Sequence, residues 1–257
     1  MALVSVITVV RNDCDALRKT HDSLVAQLFR DFEWVIVDGA STDGTAEYAL
    51  SIRTSDTQVV SEKDRGIFDA MNKGIDRAAG TFVIFLNAGD VFAGERTLLD
   101  LAPLLSGPEP IDLLYGDSLE RFGSARPVYK PTRGQESVNY GMFCCHQSIF
   151  YRRAAIDDLR YDAGFRIAGD YDFTARFLKR TKNIYRIPMA VSIFDLTGAS
   201  TQLEHVGRYE NWRVQRDVLH LPVLQRLANQ MTYLLTSGLR RFLPSVYRAF
   251  RFKPVHD

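Results

Sequence analysis

Aspartates stand just past the ends of several apolar runs in this chain, and their placement is the first hint of chemistry. Asp13 follows Leu3 to Val10, Asp38 follows Trp34 to Val37, and Asp90 closes the corner Asn87-Ala88-Gly89-Asp90 after Phe82 to Leu86. Like charges gathered on one rim are unfavourable unless a cation or a set of donors neutralises them. A divalent ion holding a diphosphate would do so, because Mg²⁺ or Mn²⁺ takes one or two carboxylates and completes its shell with phosphate oxygens and water. Taken singly, Asp38, Asp43 and Asp90 also read as caps for the turns and helices that follow. Taken as a set they favour a ligand site, and Asp90 is the first candidate for its metal or phosphate side. Cys144, Cys145 and His146 adjoin one another but lack a second ligand pair at zinc spacing, so they do not read as a structural zinc site and the cysteines read as packing residues.

The elements that must position these groups follow from periodicity. Leu3 to Val10, Trp34 to Val37, Gln58 to Val60 and Phe82 to Leu86 are short apolar or β-branched runs suited to strands covered on both faces. Between them, Leu17, Leu24, Val25 and Leu28 predict one helix face, Ala46 to Ile52 a short helix, and Ile67, Met71, Ile75 and Ala78 or Ala79 another helix stopped by Gly80. Alternation of this kind predicts parallel βαβ units, with ligands at the carboxyl ends of the strands. A helix over Thr97 to Leu105 and strands at Asp112 to Tyr115, Val128 to Lys130 and Ser148 to Tyr151 are expected next, with long loops through Gly123 to Gly141. A helix over Tyr171 to Leu178 and mostly helical sequence from His205 complete the reading.

Composition narrows the class. The chain has 257 residues, 46% hydrophobic, with a formal net charge of +1. That near balance argues against a nucleic-acid partner, which usually meets a clear basic excess. Three cysteines make no disulfide framework and fit a reducing compartment. The start, Met1 to Asp13, lacks a basic region before its apolar run and is not read as a signal peptide. No window offers about 18 uncharged apolar residues for a membrane span.

The segments VSVITVVRN, VIVDGASTDGT, SEKDRGIFDAMNKGIDRAAG and FLNAGD occur in that order, and together they resemble family 2 glycosyltransferases of the GT-A fold, especially the bacterial O-antigen and exopolysaccharide branch. CCHQSIFYRR, AGDYDF and TGAS resemble that branch too, extending the likeness over residues 3–203. The resemblance implies an α/β, Rossmann-like nucleotide-diphospho-sugar transferase with a mostly parallel sheet flanked by helices and a C-terminal helical extension. Residues 1–203 would form the GT-A domain, with 1–116 binding the nucleotide sugar and 117–203 holding acceptor and catalysis, followed by a basic amphipathic extension over 204–257.

The same resemblance implies roles residue by residue. Thr8, Val10, Arg11 and Asp38 would hold the nucleotide base and ribose; Glu62, Asp64 and Gly66 would lie beside the uridine, with Asn72 and Lys73 nearby. The family's D-x-D motif falls on Asn87 to Asp90, so asparagine replaces the first acid, and Gly39 replaces a frequent second aspartate. Asp90 would be the metal ligand for Mg²⁺ or Mn²⁺. Asp170 matches the catalytic base, with Asp172 as competitor; His146, Gln147 and Asp172 would line the donor-sugar or acceptor pocket. His205 reads equally as a group near the diphosphate or a surface histidine.

The implied reaction is inverting transfer from a nucleotide-diphosphate sugar, a UDP-sugar by family likeness, to a hydroxyl of a saccharide acceptor, free or polyprenyl-diphosphate-linked. The implied location is cytoplasmic, with a peripheral seat on the inner face of the cell membrane, and a homo-oligomer is compatible with the sequence. Leu224, Leu227, Ala228, Met231, Leu235 and Phe242 form one helical stripe, opposite Arg226, Arg240, Arg241 and Arg251. It suits an anionic membrane surface, the catalytic domain or a second subunit. Two rival readings stand at this point: a catalytically impaired nucleotide-sugar-binding scaffold, which Asn87 keeps open, and a nucleotidylyltransferase, which would show a glycine-rich basic loop where Arg11-Asn12-Asp13 stands.

Overall fold

The structure, a computed structural model, describes residues 1–121, 126–195 and 203–243. The first four strands are β1 (Val4–Val10), β2 (Phe32–Asp38), β3 (Thr57–Ser61) and β4 (Phe82–Phe85), joined by helices α1 (Cys14–Val25), α2 (Thr45–Ser51) and α3 (Ile67–Arg77). They pair in parallel in the order β3-β2-β1-β4, as the alternating sequence predicts. The runs carry apolar residues on both faces because both faces are covered. Ile7, Val9, Val35, Val37, Val83 and Phe85 point into one core under α3, while Val6, Trp34, Ile36, Phe82 and Ile84 point into the other with Leu17, Leu24 and Leu101.

Beyond β4 the sheet becomes mixed. β5 (Val91–Phe92), α4 (Thr97–Leu105), β6 (Leu113–Arg121), β7 (Val128–Lys130), β8 (Ile149–Arg152), the short α5 (Arg153–Ile156) and α6 (Gly169–Leu178) lead to β9 (Ile184–Asp195), and the sheet continues β4-β8-β6-β9-β5. β8 is antiparallel to both β4 and β6. β6 runs beyond the expected Tyr115, pairing β8 with its first half and β7 with its second. Between β7 and β8, where long loops are expected, two 3₁₀ turns form at Gln135–Asn139 and His146–Ser148.

β9 escapes sequence reading because Pro188 interrupts it. The register against β6 shifts between Gly116 and Ser118, so Pro188 sits in a bulge, where its missing N–H removes no ladder bond. Gly116 permits the approach: a Cβ there would lie 2.7 Å from Met189 O.

Two helix faces also differ from expectation. Val25 and Leu28 are exposed beyond the buried Leu17 and Leu24, because α1 ends at Val25. Ile67, 43% exposed at the first turn of α3, yields its place in the stripe to Phe68, while Met71, Gly74 and Ile75 are buried. The chain ends in α7 (Glu204–Asp217) and α8 (Val223–Phe242). No helix among the described residues is long and apolar enough to cross a membrane.

Candidate active site

The carboxyl ends of the parallel strands form one rim, the place where open α/β sheets hold ligands. β8 runs the other way, so its amino end enters at this rim and brings His146 and Gln147 to the corner after β4. That corner is held from below by Thr20 of α1, fully buried. Its hydroxyl accepts from Gly89 N (3.0 Å) and donates toward Asp90 O (2.8 Å), and Gly89 turns the chain at φ +93°.

Asp90 is 7% exposed, and Gln147 Nε2 donates to its Oδ2 at 3.0 Å. Asn87 Nδ2 lies 3.4 Å from His146 Nε2, while Asn87 Oδ1 is buried without a hydrogen-bond partner. On its other side, His146 Nδ1 lies 3.6 Å from Asp170 Oδ2. One imidazole ring therefore bridges the Asn87 corner and the first turn of α6. Burial holds His146 below its ordinary pKa against the pull of Asp170, which keeps the ring neutral. Its Nε2 can then accept from Asn87 while Nδ1–H faces Asp170. Burial raises the Asp170 pKa, the neighbouring His146 offsets part of the rise, and the Glu210 charge adds to it. Tyr171 N donates to Asp170 Oδ1 at 2.8 Å, so Oδ2 is the oxygen turned to the imidazole.

Asp170 is positioned from two sides. Gly169 packs so closely on Phe68 that a Cβ would meet the ring at 2.6 Å. Phe68 stacks on Tyr161 (5.5 Å between centroids) and Tyr161 on Phe173 (4.2 Å). From α7, the buried Glu210 accepts three backbone N–H bonds at 2.8 Å, from Arg166, Ile167 and Ala168, fixing the turn that leads into α6. Neither Thr20 nor Glu210 is signalled by the sequence. Thr20 is one polar residue on a buried helix face, and Glu210 acts on the Asp170 turn from a different helix, far along the chain.

At the β1 to β3 end of the rim, Asp38 is fully buried, and Ser41 N (3.0 Å) and Ser61 Oγ (2.6 Å) donate to its Oδ2, with Ser41 Oγ on Oδ1. Gly39, Arg11 and Asp64 crowd together; a Cβ on Gly39 would overlap Asp64 Oδ2 and lie 3.2 Å from Arg11 Cδ. Gly66, at φ +125°, takes a conformation open to glycine and opens α3, donating to Asp64 Oδ1 at 2.9 Å. Lys73 Nζ pairs with Glu62 at 2.9 Å, and Val10 is buried beneath exposed Arg11.

Asp13 caps α1, accepting from Ala16 N (3.0 Å), while Asp43 lies in the turn before α2, whose cap position is Gly44, and accepts from Thr45 N (3.1 Å). Of the three strand-end aspartates expected on the acidic rim, Asp13 serves as a cap and Asp38 and Asp90 remain.

Three predicted residues take structural positions instead. Thr8 is fully buried; its hydroxyl donates to Leu86 O (2.7 Å) and accepts from Trp34 Nε1 (2.8 Å), so it ties β1 to its neighbours and does not face the rim. Asn72 closes a pair of bonds with the Tyr161 backbone, at 2.7 and 2.9 Å, and so braces the aromatic stack behind α6. Asp172 is 4% exposed and bound to Arg176, one turn along the helix and away from the imidazole. His205 is exposed on α7, and Cys14, Cys144 and Cys145 are free thiols. The TGAS segment, 197–200, lies outside the described residues.

Comparison with known proteins identifies the family. The model of "Glycosyl transferase family 2" matches residues 5–160. The chain belongs to glycosyltransferase family 2. A PGL/p-HBAD biosynthesis glycosyltransferase of Mycobacterium bovis (strain BCG / Pasteur 1173P2) is 30% identical over 98% of this chain and 96% of its own. The amylovoran biosynthesis glycosyltransferase AmsB of Erwinia amylovora is 29% identical over 67% of this chain and 62% of its own. Among solved structures, S. aureus TarS 1-349 in complex with UDP-GlcNAc superposes with a TM-score of 0.70 at 22% identity, covering 89% of this family 2 chain and 69% of that one. Glucosyl-3-phosphoglycerate synthase from Mycobacterium tuberculosis, in complex with Mn²⁺, UDP-glucose and phosphoglyceric acid, gives 0.59 at 16% identity over 86% and 81%. The fold is GT-A, and the protein is a transferase enzyme.

Among the described residues no group of three or more His, Cys, Asp or Glu side chains is placed to hold a metal ion. A smaller set suffices for a magnesium-like ion that arrives with a diphosphate. Asp90 would supply one carboxylate, and the orphaned Asn87 Oδ1 would supply a neutral oxygen of the hard type such ions accept. The corner therefore fits a divalent ion held largely by the donor's own phosphates.

Proposed function

We propose that this enzyme transfers a sugar, with inversion, from a UDP-sugar to a hydroxyl of a lipid-linked saccharide acceptor in bacterial surface polysaccharide synthesis. The observation that carries this reading is the imidazole of His146, which meets the Asn87 corner on one ring nitrogen and Asp170 on the other. The base and the diphosphate corner are thereby kept one side chain apart. The names of the mycobacterial and Erwinia relatives support a glycoconjugate or polysaccharide setting, and the UDP-sugar complexes of the structural neighbours support the donor class.

In this mechanism the acceptor hydroxyl gives its proton to Asp170 Oδ2 as its oxygen attacks the anomeric carbon, and the bond from that carbon to the diphosphate oxygen breaks on the opposite face. Burial suits Asp170 to the role, because a raised pKa makes a stronger base. Neutral His146 orients Oδ2 without placing a positive charge beside it. Asp38 and its serine donors hold the turn on which the nucleoside would rest, and Arg11, Asp64 and Gly66 border it. Asp90, with Asn87 Oδ1, would hold a divalent ion whose chemistry is to neutralise the charge of the departing diphosphate.

The test is Asp170→Asn. Turnover should fall about 10²- to 10⁴-fold, while UDP-sugar binding measured by calorimetry stays within a factor of a few. Undiminished turnover would remove Asp170 from the base role, and a product of retained anomeric configuration would overturn the single-displacement mechanism. The scaffold reading requires no turnover from the unaltered chain with any nucleotide sugar.

A further inference from the structure

The helix α8 presents its apolar side away from the protein. Leu224, Leu227, Met231, Leu234, Leu235 and Phe242 share one arc and are 47% to 80% exposed. The polar arc points inward. Arg226 and Asn229 are each 8% exposed; the Arg226 guanidinium lies 4.4 Å over the Trp212 ring, and Asn229 Nδ2 donates to Asn139 O at 2.8 Å. Tyr233 OH and Ser237 Oγ donate to Glu204 Oε1 at 3.2 and 2.9 Å. The stripe therefore does not pack on the catalytic domain, and Arg226 does not face outward. A helix standing in water alone would be arranged the other way round.

Charge says what covers the arc. No Asp or Glu occurs between Leu221 and His256, whereas Arg240, Arg241, Arg248, Arg251 and Lys253 follow the apolar arc toward the end of the chain. A second copy paired along α8 would find no opposite charge there to meet Arg241. An anionic lipid surface offers both an apolar layer for the leucines and negative headgroups for the cations.

We propose that the outer arc of α8 seats the enzyme on an anionic membrane surface. The inner arc then has a use of its own. With Lys130 to Arg133 and Tyr140 to Cys144 it walls a cleft of about 600 Å³, lined on the helix side by Asn229, Thr232 and Thr236. In the chain, Cys144 of the cleft wall stands two residues before His146, whose imidazole faces Asp170. Resting on the reading above that the acceptor is lipid-linked, this places its saccharide head in the cleft while its lipid stays in the leaflet.

The experiment is co-sedimentation of the full chain with vesicles of phosphatidylcholine and phosphatidylglycerol, and with phosphatidylcholine alone, in the absence of donor and acceptor. The assay is independent of transfer, so its failure leaves the proposed reaction standing. Binding should require phosphatidylglycerol and weaken with salt. The double variant Leu224→Glu/Leu235→Glu should lower the partition constant roughly 100-fold, since each buried leucine contributes about a factor of ten or more. Its melting temperature should be unchanged, because both side chains are exposed. Equal binding by variant and parent, or none to either vesicle, would overturn the proposal. So would a dimer in sedimentation equilibrium that the same two substitutions dissociate, which would make the arc an interface between copies.

Discussion

Glu210→Gln tests how the base is positioned, because the carboxylate it alters touches no reacting atom. Glu210 Oε1 accepts from Arg166 N, and Oε2 accepts from Ile167 N and Ala168 N, all at 2.8 Å. A glutamine amide can keep its oxygen on the pair Ile167 and Ala168, but its NH₂ then confronts the Arg166 N–H, donor to donor. One N–H loses its acceptor and two charge-assisted bonds become neutral, which sums to about 2–5 kcal/mol. For a chain of this size the melting temperature should fall roughly 5–15 °C. The turn these bonds hold runs directly into Asp170, so kcat should fall on the order of 10- to 100-fold while the donor KM changes little.

The pH profile separates positioning from mere loss of stability. The Asp170 pKa is raised chiefly by burial, and the Glu210 charge adds to the rise. Only the ionised base is active, so the rate falls as pH drops through that raised pKa. Removing the Glu210 charge lets Asp170 ionise at lower pH, and the acid limb of kcat should move down. Urea melts, steady-state kinetics and a pH series on one preparation supply every readout. A variant that melts earlier yet keeps the parent's kcat and acid limb would refute the coupling of Glu210 to the base.

Other substitutions test the remaining parts of the rim. UDP with Mn²⁺ at about a hundred times its Kd should raise the melting temperature roughly 5–10 °C; Asp90→Ala should abolish the metal-dependent part and Asn87→Asp should enlarge it, whereas an effect of UDP indifferent to Mn²⁺ in all three proteins would remove the ion from the corner. Gly39→Ala places a methyl onto Asp64 Oδ2 and against Arg11, so the donor KM should rise about tenfold with kcat less affected; an unchanged KM in steady-state kinetics would move the nucleotide elsewhere. Arg226→Ala removes a cation stacked on Trp212 and the donor to Leu221 O, and should lower stability by about 1–3 kcal/mol in urea melts; no loss would mean that α8 is held by its other contacts.

The sequence alone determined what local chemistry determines. The runs at β1, β2 and β4 carry apolar residues on both alternating faces, with Ser5 and Thr8 the polar exceptions in β1 and Glu33 and Asp38 in β2, and that pattern identifies parallel central strands without a partner in view. Gly66, Gly80 and Gly89 mark turns, Asp13 caps α1, and Asp43 holds the turn that opens α2. Asp38 and Asp90 were legible as candidates because each follows the end of an apolar run, whereas Asp170 was named only by the family resemblance.

Tertiary structure decided what those candidates meet. That β8 runs antiparallel, and so delivers His146 to Asn87 and Asp170, depends on strand pairing across the sheet, which no local spacing encodes. Thr8, Asn72 and Asp172 carry the same functional groups as rim residues, yet Trp34, Tyr161 and Arg176 consume their hydrogen bonds. Pro188 hid β9 because a bulge exists only relative to its neighbour, β6. The amphipathic pattern of α8 was plain in the sequence, but which side faces out was not. A helical period records that two faces differ; only the packing of Arg226 on Trp212 shows that the polar face is the buried one.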